Sequence, residues 1–289
     1  MNIKMVFKNR IFFPAVFVVF GVYLFVNNRD HQYFMNPRPS AVSVAQGNSE
    51  YQQNATYSKF VDSLKSVRTR TVAVAECARL DRQIGSSLFD AFTSVNQKSL
   101  LDSARFYLER SWAQSPTSDT CAFLLGRTMS TYRDKEKAAF YFDKVIALAP
   151  RNAGLLHNVG LYFYFELAQT AKAKICLQKV LAIDPRFPLT NYALGKMALD
   201  EKNVSVAQGF FESEIMVFET QKQNLAQFGA DKATLEFAAA SSYLELAMMK
   251  ARQTKNADAA KSFLDKYIAL MPNPANQAKA RESVAQAAK

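Results

Sequence analysis

Histidine and cysteine are scarce in this chain, which has 2 His and 3 Cys among 289 residues. His31 and His157 are far apart, and Cys77, Cys121 and Cys176 form neither a C-x-x-C pair nor another metal-ligand spacing. We therefore expect no metal site. An odd cysteine count also excludes a complete disulfide framework, and we predict no disulfide.

Motifs that carry catalysis are absent as well. The sequence has no glycine-rich phosphate loop, no H-E-x-x-H and no G-x-S-x-G. Carboxylates occur throughout, but paired carboxylates on helices mostly belong to solvated faces. We predict that the chain is not an enzyme and that it takes no cofactor and no small-molecule substrate.

Glycine and proline number only nine each, whereas 49% of the residues are apolar. No long stretch alternates with period two, which argues against a sheet and favours an all-α fold. Six prolines follow residue 39, and all fall between predicted helices because proline lacks the N–H that a helix interior needs. They are Pro116, Pro150, Pro185, Pro188, Pro272 and Pro274.

One pattern returns every 34 or 35 residues between Asp119 and Phe211. Small residues recur where two helix backbones would come close, and prolines close the units. The recurring positions are Gly126, Gly160 and Gly195, then Ala138, Ala173 and Ala207, then Pro150 and Pro185. Each unit is predicted to be a helix, a turn and a second helix.

This pattern resembles the tetratricopeptide repeat, whose period is 34 residues. The resemblance is carried by Leu125-Gly126, Ala138, Phe142 and Pro150, then Val159-Gly160, Phe163, Ala173 and Pro185, then Leu194-Gly195, Ala207 and Phe211. It departs from the family at Glu219, where a closing proline is expected, and at the early tryptophan, which Ala122, Leu156 and Asn191 replace. The resemblance implies a right-handed solenoid of helical hairpins.

Weaker matches extend the array in both directions. Ala104, Leu108 and Pro116 fit a degenerate repeat within N-terminal helices at 57–118, ahead of three repeats at 119–220. An extended degenerate repeat is predicted at 221–273, in which a long helix or an insertion near 221–232 absorbs the surplus length. Residues 274–289 are predicted to form a capping helix and tail, because solenoids need a polar end.

The first residues predict a membrane anchor. Residues 11–26 carry no charge and would extend about 24 Å as a helix, which is short of the ~30 Å hydrocarbon core but workable with snorkelling. A cleaved signal peptide is the rival reading, but no small-x-small site follows closely. More basic residues precede the span than follow it, so we expect 1–10 in the cytoplasm. A flexible tether at 27–56 would then lead to a repeat domain in the periplasm.

The net charge of +11 is spread along the chain and does not predict nucleic-acid binding. The densest basic group comprises Lys65, Arg68, Arg70, Arg79 and Arg82. We interpret it as a solvated helix face. The alternative is contact with anionic lipid headgroups or an acidic partner.

These observations predict a membrane-anchored scaffold that binds a peptide segment of a partner protein and organises an envelope assembly. One alternative is an organelle-surface adaptor facing the cytosol, whose carboxylate clamp would fall at Phe123, Arg127, Asn158, Leu189 and Ala193. Only Asn158 fits that clamp. A further alternative is an accessory subunit of an enzyme complex.

The register of the repeat also predicts the residues that line the partner-binding groove. On the first helices of successive units, residues three or four apart share one face. They are Phe123, Arg127, His157, Leu161, Tyr164, Tyr192 and Lys196. We expect them to be exposed, with positive charge at both ends of the groove, and to bind a peptide with apolar and acidic side chains. The alternative is that several of them are ordinary helix-face residues and that the ligand uses the convex side or the insertion near 221–232. In the aromatic run 162–165, we expect Phe163 to be core, since four neighbours on a helix cannot share a face.

Overall fold

The computed structural model describes residues 58–223 and 232–289, in which every regular element is a helix and no strand occurs. None of the helices in these two ranges is long and apolar enough to cross a membrane. The predicted cytoplasmic segment at 1–10, the anchor at 11–26 and the tether at 27–56 lie outside the described residues.

Twelve α-helices follow one another in the described chain. They are α1 (58–70), α2 (Val74–Val95), α3 (Lys98–Gln114), α4 (Asp119–Thr131), α5 (Lys135–Leu148), α6 (Ala153–Leu161), α7 (Thr170–Ile183), α8 (Thr190–Asp200), α9 (Val204–Gln221), α10 (Lys232–Thr254), α11 (Lys261–Leu270) and α12 (Pro274–Ala287). A π-helical turn, Tyr162–Glu166, continues α6, and a 3₁₀ turn, Asp258–Ala260, precedes α11. The chain divides into two compact units, of which the first holds α1–α6 and the second α7–α12.

In the first unit, α2 packs against α3 and α4 packs against α5. Polar side chains begin the repeat helices: Ser118 accepts the Cys121 N–H, and Asp134 accepts the Lys137 N–H. Such caps satisfy backbone donors that the first helical turn leaves without partners. Arg133, in the left-handed conformation at φ 61°, turns the chain from α4 to α5.

The close approach of α4 and α5 depends on a glycine. A Cβ atom at Gly126 would lie 2.5 Å from Cε1 of Phe142, whose ring is fully buried. The α2–α3 hairpin is built the same way, with Gly85 facing Leu108 at 2.6 Å. Glycine therefore lets the ring or branched side chain of the second helix lie against the backbone of the first.

The aromatic run begins where α6 widens into the π-turn. There the Leu167 N–H donates to Tyr162 O at 3.1 Å, and the Gln169 N–H donates to Phe163 O at 2.7 Å. Phe163 is fully buried and meets the Phe142 ring edge-on at 5.9 Å, which confirms its predicted place in the core.

In the second unit, the α8–α9 hairpin also depends on a glycine that lies against a buried aromatic ring. A Cβ at Gly195 would lie 2.6 Å from Cε1 of the buried Phe211 ring. Lys202 turns the chain at φ 60°, and Asn203 accepts the Val206 N–H to begin α9. The hairpin thus has the same parts at the same relative positions as α4–α5.

The rest of the second unit departs from the repeat length. Helix α9 has 18 residues and α10 has 23, against 13 and 14 for α4 and α5. Helix α10, which is ten residues longer than α4, therefore takes up part of the surplus between Glu219 and Pro272. Most of the insertion predicted near 221–232 lies outside the described residues. Helix α12 packs on α10 through Ala280 and Val284, which occupy the core there.

The basic group on α1 and α2 is only partly a solvated face. Arg79 is exposed and pairs with Glu76 one turn away, as expected of such a face. Arg68, in contrast, donates from Nε to the fully buried carboxylate of Asp81 at 3.0 Å. The expectation of a solvated face is thus wrong for Arg68, because a buried carboxylate needs charged partners.

Candidate peptide-binding surface

The seven residues predicted to line a groove lie on first helices in both units. Phe123 and Arg127 are on α4, His157 and Leu161 are on α6, Tyr164 is in the π-turn, and Tyr192 and Lys196 are on α8. All are buried except Tyr164 and Lys196, which are half-buried. The prediction that the set is exposed is therefore wrong for five of the seven.

Arg127 is occupied by contacts within the first unit. Its guanidinium lies 4.6 Å from the centre of the Phe89 ring, and its Nε donates to the Tyr162 hydroxyl at 3.2 Å. The residue is only 6% exposed. A buried cation held over an aromatic face and bonded to a hydroxyl joins α2, α4 and the π-turn, and it is not presented to a ligand.

Lys196 is paired within the second unit. Its Nζ lies 2.7 Å from Oε1 of Glu245 on α10, and the Glu245 side chain is buried. The positive charge predicted at this end of the groove is therefore largely neutralised. Replacing Arg127 and Lys196 together with Glu would break both sets of contacts, contrary to the expectation for two exposed residues.

His157 is also a core residue. Burial lowers its pKa to about 3, so the imidazole is neutral at physiological pH. It adds no charge to a binding surface. Tyr164, whose ring is tilted against Phe165 at 4.6 Å between ring centres, is half-buried in the π-turn, as are Tyr162 and Phe165.

The sequence reasoning missed the partners Phe89 and Glu245. Glu245 stands in the apolar run Tyr243-Leu244-Glu245-Leu246-Ala247. A carboxylate in such a run signals a buried ion pair, since an unpaired charge there would be costly. No comparable signal marks Phe89.

Glu214 holds the start of α8 from the neighbouring helix α9. The Leu189 N–H donates to its Oε1 at 2.8 Å, and the Tyr192 N–H donates to its Oε2 at 3.1 Å. Leu189, in the left-handed conformation at φ 64°, offers no capping side chain. Glu214 therefore supplies the acceptor that a Ser or Asp normally gives at this position.

Burial raises the pKa of Glu214 to about 7, although backbone N–H bonds from Leu189, Tyr192 and Asn191 act to lower it. An acid with a raised folded-state pKa stabilises the fold below its unfolded pKa and loses that contribution as pH rises through 7. We expect the unfolding free energy to fall by roughly 2 kcal/mol more in the wild type than in Glu214→Gln between pH 5 and pH 8. Urea denaturation at each pH measures this. Parallel profiles would show that the buried carboxyl does not titrate in this range.

The described residues contain no cluster of three His, Cys, Asp or Glu side chains suited to a metal ion. All three cysteines are buried. The thiol of Cys77 donates to Thr71 O and that of Cys121 to Leu108 O, so both pack as small core residues with a carbonyl contact.

Comparison with known proteins supports the helical-repeat interpretation. Residues 153–187 match the family model of the tetratricopeptide repeat. The crystal structure of MamA is 16% identical, covers 64% of this chain and 99% of its own, and superposes with a TM-score of 0.51. No curated protein matches the sequence.

Two further structures are similar at lower TM-scores. YrrB, described as a TPR protein with an unusual peptide-binding site, is 18% identical over 71% of this chain and 92% of its own, at 0.46. The pilF protein of Pseudomonas aeruginosa is 19% identical over 71% and 96%, at 0.41. The described residues form an all-α fold in which 153–187 match the tetratricopeptide repeat, and the hairpins α4–α5 and α8–α9 are built alike.

Proposed function

We propose that the protein is a membrane-anchored scaffold that binds a peptide segment of a partner protein and organises an assembly in the cell envelope. The observation that carries the proposal is the equivalence of the α4–α5 and α8–α9 hairpins, each with a glycine under a buried Phe ring and a left-handed turn. In repeat proteins, hairpins of this kind supply the surfaces that bind segments of other proteins.

The burial pattern narrows the surface that we propose for the partner. Five of the seven predicted residues are buried, which leaves the half-buried Tyr164 in the first unit and the half-buried Lys196 in the second. An aromatic side chain with an apolar body and a polar tip is a common anchor for a peptide. We therefore propose that apolar side chains of the partner dock at Tyr164.

Tyr164→Ser tests this proposal. We expect the tagged full-length protein to lose most of its co-purifying partner from native membranes, as measured by quantitative mass spectrometry. The matched control is Phe106→Ser, because Phe106 is an aromatic residue of the second helix α3 and is 57% exposed. Loss of the partner in Phe106→Ser but not in Tyr164→Ser would place the docking site on the second helices.

The anchored topology is a separate part of the proposal, supported by the uncharged stretch at 11–26 and by Lys4, Lys8 and Arg10 ahead of it. A reporter that is active only in the oxidising compartment, fused after Lys289, should be active. Activity of a cytoplasm-only reporter at the same position would reverse the orientation and favour the cytosol-facing adaptor.

A further inference from the structure

A basic pocket lies between α1 and α3 in the first unit. It has a volume of about 310 Å³ and is lined by Lys65, Arg68, Thr69, Tyr107 and Arg110. Three of the five lining residues are cations, and they come from two helices.

The two guanidiniums are held in place by Asp81, whose side chain is fully buried beneath them. Arg110 donates to it from Nε at 2.7 Å and also from Nη2, while Arg68 donates from Nε at 3.0 Å. Gln114 adds a fourth donor at 3.2 Å. The carboxylate therefore accepts four hydrogen bonds, which use one N–H group of Arg68 and two of the five N–H groups of Arg110. Both arginines also line the pocket.

The charges do not cancel. Lys65, Arg68 and Arg110 contribute three positive charges against the single negative charge of Asp81, which leaves two. Asp62 lies 3.8 Å from Lys65, but its side chain is 68% exposed, so water screens that pair. Tyr107 also lines the pocket, and the Arg110 guanidinium lies 4.9 Å from the centre of its ring.

We propose that this pocket binds a dianionic phosphate group, either as free phosphate or on a phosphomonoester lipid headgroup. Two residual positive charges match a dianion. A guanidinium group that a buried carboxylate already holds in place loses little conformational entropy when it binds an oxyanion, which favours phosphate binding. Lys65 supplies a point charge, and Tyr107 supplies a hydroxyl.

Lys65→Glu tests the pocket without removing a partner of Asp81. Inorganic phosphate is titrated into the full-length chain by calorimetry at constant ionic strength. We expect the wild type to bind and the variant to lose at least about tenfold in affinity. The control is Lys59→Glu, which makes the same charge change at an exposed site on the same helix outside the pocket, and it should bind like the wild type.

A second arm identifies the source of the phosphate. Binding of the full-length chain is measured to phosphatidylcholine vesicles and to vesicles that also contain phosphatidic acid. The difference between the two is compared among variants, because any membrane binding by residues 11–26 contributes to both measurements. A gain that Lys65→Glu abolishes and Lys59→Glu retains supports the lipid source, with or without binding of free phosphate. Equal losses in both variants, or no binding in either arm, would overturn the proposal.

Discussion

Asp81→Ala is expected to destabilise the protein by about 3 kcal/mol, measured by urea denaturation of the full-length chain. Removing one member of a buried ion cluster usually costs 3–5 kcal/mol, because the other charges lose their partner. We place Asp81→Ala at the low end since Arg68 and Arg110 are 22% and 34% exposed and can turn partly to water.

The control for Asp81→Ala lies on the same helix. Glu76 pairs with Arg79 one turn away, and both side chains are about as exposed as ordinary surface residues. Exposed pairs contribute little to stability, so Glu76→Ala should leave the unfolding midpoint unchanged within error. If both variants unfolded at the same urea concentration, the Asp81 cluster would not stabilise the first unit.

Gly126→Leu is expected to cost at least about 3 kcal/mol, at the upper end of the usual overpacking range. Even its Cβ atom would lie 2.5 Å from the Phe142 ring, and that ring is fully buried between the helices and cannot move aside. The thermal unfolding midpoint measures the effect. Adding Phe142→Ala should recover part of the loss, because the leucine can then fill the space of the ring.

Gly209 provides the matched control for Gly126→Leu. It also lies in the middle of a helix, α9, but a Cβ there meets no atom within 4 Å. Gly209→Leu should be neutral or stabilising by about 0.5–1 kcal/mol, because glycine is a poor helix former. Equal destabilisation at both sites would mean that the close approach of α4 and α5 does not explain why glycines recur at regular spacing along this chain.

The sequence predicted the parts of the fold that repeat. Gly126, Gly195, Phe142 and Phe211 were placed correctly because small and aromatic residues recur at one period, and periodicity reports which face of a helix is packed. Phe163 was predicted to be core by the same register. These residues belong to the repeated hairpins, in which the recurring positions lie a fixed number of residues apart.

The candidate site was harder to predict because its contacts join residues that no period relates. Arg127 stacks on Phe89, which lies 38 positions earlier. Lys196 pairs with Glu245, which lies 49 positions later on the long helix α10, where the repeat period is lost. A register can say that two residues share a helix face, but it cannot say whether another element covers that face. Six of the predicted groove residues therefore lie on α4, α6 and α8 and Tyr164 lies in the π-turn, but five of the seven were wrongly expected to be exposed.

The π-turn accommodates one residue more than the corresponding helix has in the repeats before and after it. The distance from the small residue to the left-handed residue that ends the first helix is seven positions from Gly126 to Arg133, eight from Gly160 to Ala168, and seven from Gly195 to Lys202. The extra residue falls where Tyr162–Glu166 is wound with one more residue per hydrogen-bonded turn. A repeat pattern with a fixed period of 34 residues is therefore displaced by one residue after this helix. If the alignment of the repeats opens a single gap inside the aromatic run, Ala173 and Ala207 align with Ala138.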